Sequence, residues 1–283
     1  MKAFLREIRI EHTLFALPFA YTGAIFAARG VPALHALIWI TLAVAGARTA
    51  AMAANRYFDR DIDARNPRTA RRALANKTMS PNVMIAATIA GIVLLLISAW
   101  QLNPLCLKLL PIAALGVLVY PLCKRFTWLT HFVLGAVDGL APLGAFIAVA
   151  GTITWPAILL FAAVTVWVAG FDVWYALMDL PVDREQGIHS LPSILGERAG
   201  RYSPLGLHAA MTALLLLAGF VAKASGWYYA GIIACIALIA LELRLLTRSD
   251  NVFTLNEGVF RANMAFSVVF LATSAAAFTL GSA

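Results

Sequence analysis

Charge is what this sequence has least of. Only 13% of its 283 residues are charged, against 61% hydrophobic, and mean hydropathy is +0.82. A soluble domain carries roughly 25% charged and about half apolar residues, so that class is excluded. Cysteine is scarce as well. Cys106, Cys123 and Cys235 lie in or at the ends of apolar segments without paired spacing, which excludes a disulfide framework or zinc site and leaves packing. The five histidines form no H-x-x-x-H or H-E-x-x-H pattern. There is no low-complexity tract, no separate soluble domain, and no small-residue cleavage site after the basic stretch Met1–Arg9.

What is present is a succession of apolar runs, each long enough to cross a hydrocarbon core of roughly 30 Å. Lipid offers the backbone no partners, so such runs are helices. Nine spans are expected, near 12–28, 34–56, 82–101, 105–122, 130–150, 155–178, 203–222, 227–247 and 259–280. The expectation is an all-α membrane protein, residues 1–283 forming one bundle of about nine transmembrane helices with an Asp-rich cap. The longest polar connections, 57–81 and 179–202, supply that cap. With nine spans, 18 of the 22 Lys and Arg fall on the side of the N-terminus and these two loops. By the positive-inside bias that side is cytoplasmic, in the cell inner membrane. The same bias accounts for the net charge of +8 without nucleic acid.

Two acidic constellations stand at that face. Asn55, Asp59 and Asp63 step by about 40° around a helix and share one face within roughly 80°. Arg48 lies near the same stripe, and Asp61 points off it as solvated loop charge. The second set is Asp172, Tyr175, Asp179 and Asp183; continued as one helix, its acids fall within roughly 40°, a continuation that Pro181 puts at risk. Acids that begin inside hydrophobic spans are costly and mark function. Mg²⁺ takes oxygen ligands, typically one or two carboxylates plus substrate phosphates. Two opposed carboxylate sets therefore suit a metal-bound diphosphate, with Arg68, Arg71, Arg72 and nearby Lys77 neutralising the remaining charge.

At these residues the sequence resembles the UbiA superfamily of intramembrane aromatic prenyltransferases. Asn55, Asp59 and Asp63 match its N-x-x-x-D-x-x-x-D motif. Asp172, Tyr175, Asp179 and Asp183 match its D-x-x-Y-x-x-x-D-x-x-x-D, and Tyr120-Pro121 through Lys124 a third motif. The resemblance implies Mg²⁺-assisted ionisation of a polyprenyl diphosphate and attack by a small aromatic acid on the resulting carbocation. It implies Asn55, Asp59, Asp63, Asp179 and Asp183 on the metal-diphosphate, and Arg68, Arg72 and Lys124 on phosphate oxygens. Tyr175, Tyr120 and Asp172 would line the reaction centre. The strings Glu11-His12-Thr13, Arg48 through Met52 and Asp183 through Pro192 resemble the 4-hydroxybenzoate polyprenyltransferase-like branch, which makes Arg48 a substrate-site residue. That branch also includes menaquinone enzymes, so a dihydroxynaphthoate is the alternative acceptor. The family's R-x-L-P-x-G reads Arg72-Ala-Leu-Ala-Asn-Lys77 here, without its Pro and Gly.

Asp138, deep in the fifth span, is either an acceptor-site residue or the partner of a buried Arg such as Arg48. Glu11 and His12 read as an interfacial cap, and His189 and Ser190 as loop structure or phosphate contacts. Glu242 and Arg244 read as a local ion pair, and Trp100, Trp155, Trp227, Tyr228 and Tyr229 as an interfacial belt. A transporter is the competing class, but its polar residues belong near the midplane. No obligatory protein partner is implied.

Overall fold

The computed structural model describes residues 4, 7, 8, 11–248 and 251–281, the side chains of 11–15 excepted, so Glu11 and His12 lie outside the described side chains. Eleven helices follow one another without a strand among the described residues. They are α1 (Glu11–Ala28), α2 (Leu34–Arg65), α3 (Pro81–Leu102), α4 (Pro104–Cys123), α5 (Thr130–Ala150), α6 (Trp155–Leu177), α7 (Leu180–Gln186), α8 (Leu191–Leu195), α9 (Glu197–Val221), α10 (Gly226–Arg248) and α11 (Val252–Thr279). Eight of them are long and apolar enough to cross a membrane. The ninth expected span is α1, whose described apolar stretch, Ala16–Ala28, is shorter.

The chain's punctuation sets the breaks. Ser80 accepts from the Asn82 amide ahead of Pro81, and Asn103 accepts from Leu105 and Cys106 ahead of Pro104. Asn103 also donates to the Ile147 carbonyl at 2.8 Å, tying the start of α4 to α5. Gly151 ends α5 at φ 68°, the left-handed conformation glycine reaches without penalty. The long helices pack in a ring, each against the next, with α7 and α8 between α6 and α9; α11 closes on α1, and α1 also packs on α5. The α5–α6 contact is so close that a Cβ at Gly135 would fall 2.1 Å from the Thr165 carbonyl oxygen.

Two boundaries differ from the sequence expectation. The second span continues to Arg65, so the first acidic motif is entirely helical and its loop starts only at Asn66. The second motif is not one helix: α6 ends at Leu177, the chain turns, and Asp179 stands at the N-terminal end of α7, where Pro181 occupies the first turn. The Arg72–Lys77 segment is a run of turns, and Lys77 sits at φ 64° where the family pattern has glycine.

The half of the ring that carries the second motif is fixed by buried polar contacts. His208 Nε2 donates to the Trp167 carbonyl at 3.2 Å, and its Nδ1 meets Glu242 Oε2 at 2.7 Å. Asn263 donates to Glu242 Oε1 at 2.8 Å and accepts from the Trp167 indole at 2.5 Å. One knot thus joins α6, α9, α10 and α11. Glu242 is fully buried and pairs with His208; the expected partner Arg244 is exposed. Tyr228, expected in the belt, is also buried and donates to the Leu215 carbonyl, whereas Trp100, Trp155 and Trp227 are exposed as expected. Glu242→Leu leaves His208 and Asn263 without their acceptor, and removing one partner of a buried pair costs about 3–5 kcal/mol. Thermal unfolding in detergent should show a loss of that order.

Candidate active site

The two acidic motifs meet at one end of the ring, around a polar cavity of about 280 Å³. Its lining includes Asn55, Asp59, Asp63, Arg68, Arg72, Tyr120, Lys124, Asp172, Tyr175, Asp179 and Asp183. The helical stripe on α2 turns Asn55, Asp59 and Asp63 inward, while Asp61 is exposed. The turn after Leu177 brings Asp179 and Asp183 opposite them.

The acids of each motif are neutralised from another element. Lys124, at the end of α4, donates to Asp59 Oδ2 at 2.5 Å. Arg72 Nη1 reaches both oxygens of Asp63, at 2.8 and 2.7 Å. Arg68 grips Asp179 in a fork, Nε to Oδ1 at 2.8 Å and Nη2 to Oδ2. Asn66, for which sequence assigned no role, donates to the same Oδ1 at 2.7 Å and accepts from the Arg68 amide. A side chain just beyond the first motif thus holds the second. Arg71 and Lys77, expected to face a diphosphate, are exposed and line no part of the cavity.

A short corner, Ile188–Leu191, organises the rest. The His189 amide donates to the Lys124 carbonyl at 2.7 Å, and the Ser190 hydroxyl donates to Asp183 Oδ2 at 2.8 Å. The Leu191 amide donates to His131 Nε2 at 3.0 Å, and His131 Nδ1 meets Asp172 Oδ2 at 2.7 Å. Sequence reading missed His131, because an isolated histidine in no motif carries no signal. Ser190 proves to cap α8 and hold Asp183.

Charge in the cavity does not balance. Arg56 is buried against Glu7, whose Oε1 also accepts from the Ala73 amide. Setting that pair aside, five aspartates face only Arg68, Arg72 and Lys124. The surplus is negative, so a bare diphosphate is repelled and a cation is attracted. Asp59 Oδ1 is buried without a partner.

Arg48 and Asp138 stand apart from this cavity. They pair with each other at 2.9 Å and line a second, apolar cavity of about 330 Å³ between α2, α3, α4 and α5. Arg48 lies seven residues before Asn55, roughly 10 Å along the helix. Tyr120 lies between: it lines the polar cavity and donates to the carbonyl of Ala51, which lines the apolar one.

Helices of membrane length in a ring, with a charged cavity at one end and an apolar cavity beside it, define a multi-pass membrane protein with a polar site at one end of the bundle. Comparison with known proteins identifies its kind. Residues 16–279 match the UbiA prenyltransferase family. The chain is 33% identical to the 4-hydroxybenzoate octaprenyltransferase of Alkalilimnicola ehrlichii over 230 residues, 79% of this chain and 76% of that one. It is 30% identical to the protein of the same name from Aliivibrio fischeri over 253 residues, 88% and 86% of the two chains. The apo structure of a UbiA homolog from Aeropyrum pernix superposes with a TM-score of 0.81 at 33% identity, covering 93% of this chain and 97% of that one. A UbiA homolog from Archaeoglobus fulgidus bound to GPP and Mg²⁺ shares the fold, with a TM-score of 0.71 at 19% identity over 98% and 99% of the two chains. The chain belongs to the UbiA prenyltransferase family, and it is a multi-pass membrane prenyltransferase.

Burial pushes the Asp183 carboxyl up to about 6, against the hydrogen bond from Ser190, and the nearby Asp179 adds to the rise. A folded pKa above the unfolded one means that stability is full below about pH 4 and is lost as pH rises through the folded value. Asp183→Asn keeps an acceptor for Ser190 and removes that loss. Its melting temperature should exceed the parent's at about pH 8, with the gain vanishing toward about pH 4.

Proposed function

We propose that the chain transfers a prenyl group from a polyprenyl diphosphate to 4-hydroxybenzoate, with Mg²⁺, in quinone biosynthesis. The acceptor is supported by the name that the relatives from Alkalilimnicola and Aliivibrio share. Donor and metal are supported by the Archaeoglobus homolog bound to GPP and Mg²⁺. The observation that carries the reading is the cross-pairing: Asp59 with Lys124, Asp63 with Arg72, Asp179 with Arg68. Each pair couples a ligand for a divalent cation to a ligand for a phosphate oxygen.

The residues fit that metal. Asn55, Asp59, Asp63, Asp179 and Asp183 would hold it, and the unpartnered Asp59 Oδ1 is an acceptor suited to a cation. Among the described residues no three His, Cys, Asp or Glu cluster closely enough to hold a metal unaided. That agrees with a site completed by substrate phosphates. When bound, Mg²⁺ supplies neutralisation of the charge that develops on the leaving diphosphate.

The chain's own groups do the rest. Arg68, Arg72 and Lys124 exchange carboxylates for phosphate oxygens. Tyr175 and Tyr120 flank the ionising carbon and exclude water from it. The apolar cavity takes the isoprenoid tail. Arg48, held by Asp138 and with Nε unpartnered, offers an N–H to the carboxylate of the acceptor. The Lys and Arg asymmetry supports a cytoplasmic position for the N-terminus and both acidic segments in the inner membrane.

Membranes containing the protein are expected to prenylate 4-hydroxybenzoate in preference to a dihydroxynaphthoate, and only with Mg²⁺. Asp59→Ala and Asp179→Ala should each lower the rate by about 100-fold or more. Full activity in either variant refutes its role, and preference for the naphthoate refutes the acceptor. Carriage of substrate across vesicles with no new product would instead identify a transporter.

A further inference from the structure

The five acids of the polar cavity are not equivalent. Asp59, Asp63 and Asp179 each face a Lys or Arg, and Asp183 takes the Ser190 hydroxyl. Asp172 is held by an imidazole. The tautomer follows from the far side of the ring. A backbone N–H can only donate, so the Leu191 amide, 3.0 Å from His131 Nε2, requires a lone pair there and leaves the hydrogen on Nδ1. His131 therefore donates to Asp172 Oδ2 at 2.7 Å as a neutral imidazole. It is buried among α5, α6 and the start of α8, while 32% of the Asp172 side chain stays open to the cavity.

A carboxylate beside a cation or a metal is a weak base, because the positive charge favours its ionised form. Asp172 has no such cation beside it: among the described residues no Lys or Arg nitrogen pairs with it, and it stands on α6, before the turn that carries Asp179. We propose that Asp172 is the base that takes the ring proton of the aromatic acceptor, and that His131 is the positioning residue that aims it. The proposal rests on the reaction proposed above. The C–O bond of the allylic diphosphate breaks with its electrons on the diphosphate. A pair of ring π electrons forms the new C–C bond. The C–H electrons at that carbon then restore the aromatic ring, and the proton goes to the Asp172 carboxylate. A neutral donor at fixed Nδ1 orients Asp172 without setting a formal positive charge beside it, as an Arg in the same place would.

The test compares Asp172→Asn, His131→Leu and His131→Asn with the unaltered protein, using geranyl diphosphate, Mg²⁺ and 4-hydroxybenzoate, ring-deuterated or not. Binding of geranyl diphosphate with Mg²⁺ is titrated in parallel. For Asp172→Asn and His131→Leu, kcat is expected to fall by about 100-fold or more, with diphosphate affinity unchanged within about two-fold. Both should show a primary deuterium isotope effect on kcat that is larger than in the unaltered protein. His131→Asn, which restores a donor near the Nδ1 position, should recover part of the rate and reduce that isotope effect. An unchanged isotope effect in Asp172→Asn overturns the base assignment. Loss of diphosphate affinity in His131→Leu makes the pair part of diphosphate binding and overturns the positioning role. If the unaltered protein makes no prenylated product at all, the underlying reaction fails instead.

Discussion

Arg68 on Asp179 is the contact on which the site depends. It joins the loop that follows α2 to the turn that follows α6, elements more than 100 positions apart in the chain. Without it the two acidic motifs sit side by side as like charges that repel. With it, and with Asn66 on the same carboxylate, the motifs become opposite walls of one cavity. Lys124 on Asp59 repeats the device from α4, so three separate parts of the ring are drawn to one point by charge.

This arrangement is costly where it lies. Asp59 and Asp63 are buried at the end of a helix that crosses the membrane, and Asp183 is held partly buried with its ionised form disfavoured. A sequence selected for stability alone would dilute the acids or add a cation. Retaining surplus negative charge is a trade of stability for function. The rest of the fold supports that strain. The Glu242–His208–Asn263 knot fixes α6 from behind, and the Gly135 contact fixes it against α5, which carries His131. Asp172 and Asp179 are thereby positioned by packing on two sides.

Much of this was legible in the sequence because it is periodic. Apolar runs of membrane length gave eight helices outright, and the i, i+4 spacing of Asn55, Asp59 and Asp63 put them on one face. Eleven of the expected site residues line one cavity. What was not legible depends on contacts between distant parts of the chain. Nothing local distinguishes Arg68 and Arg72, which face inward, from Arg71 and Lys77, which do not. The turn at Asp179 replaced a continuous helix, yet it brought the acids to the same place. His131 was hidden because its role exists only through Asp172 and Leu191. Glu242 seemed paired with Arg244 two positions away, but residues i and i+2 point to different sides of a helix, and its partner proved to be His208. Asp138 left two readings open; its bond to Arg48 satisfies one of them, and the cavity that both line keeps the other.

The cavity's charge is in negative surplus and its cations are already committed to carboxylates, so we propose that it accepts a diphosphate only together with a divalent cation. Equilibrium binding of geranyl diphosphate to the purified protein, titrated with and without Mg²⁺, tests this most directly. The expected result is binding that appears with Mg²⁺ and disappears in its absence. Equal affinity in the presence of a chelator would show that the cavity takes a diphosphate without a metal and would overturn the proposal.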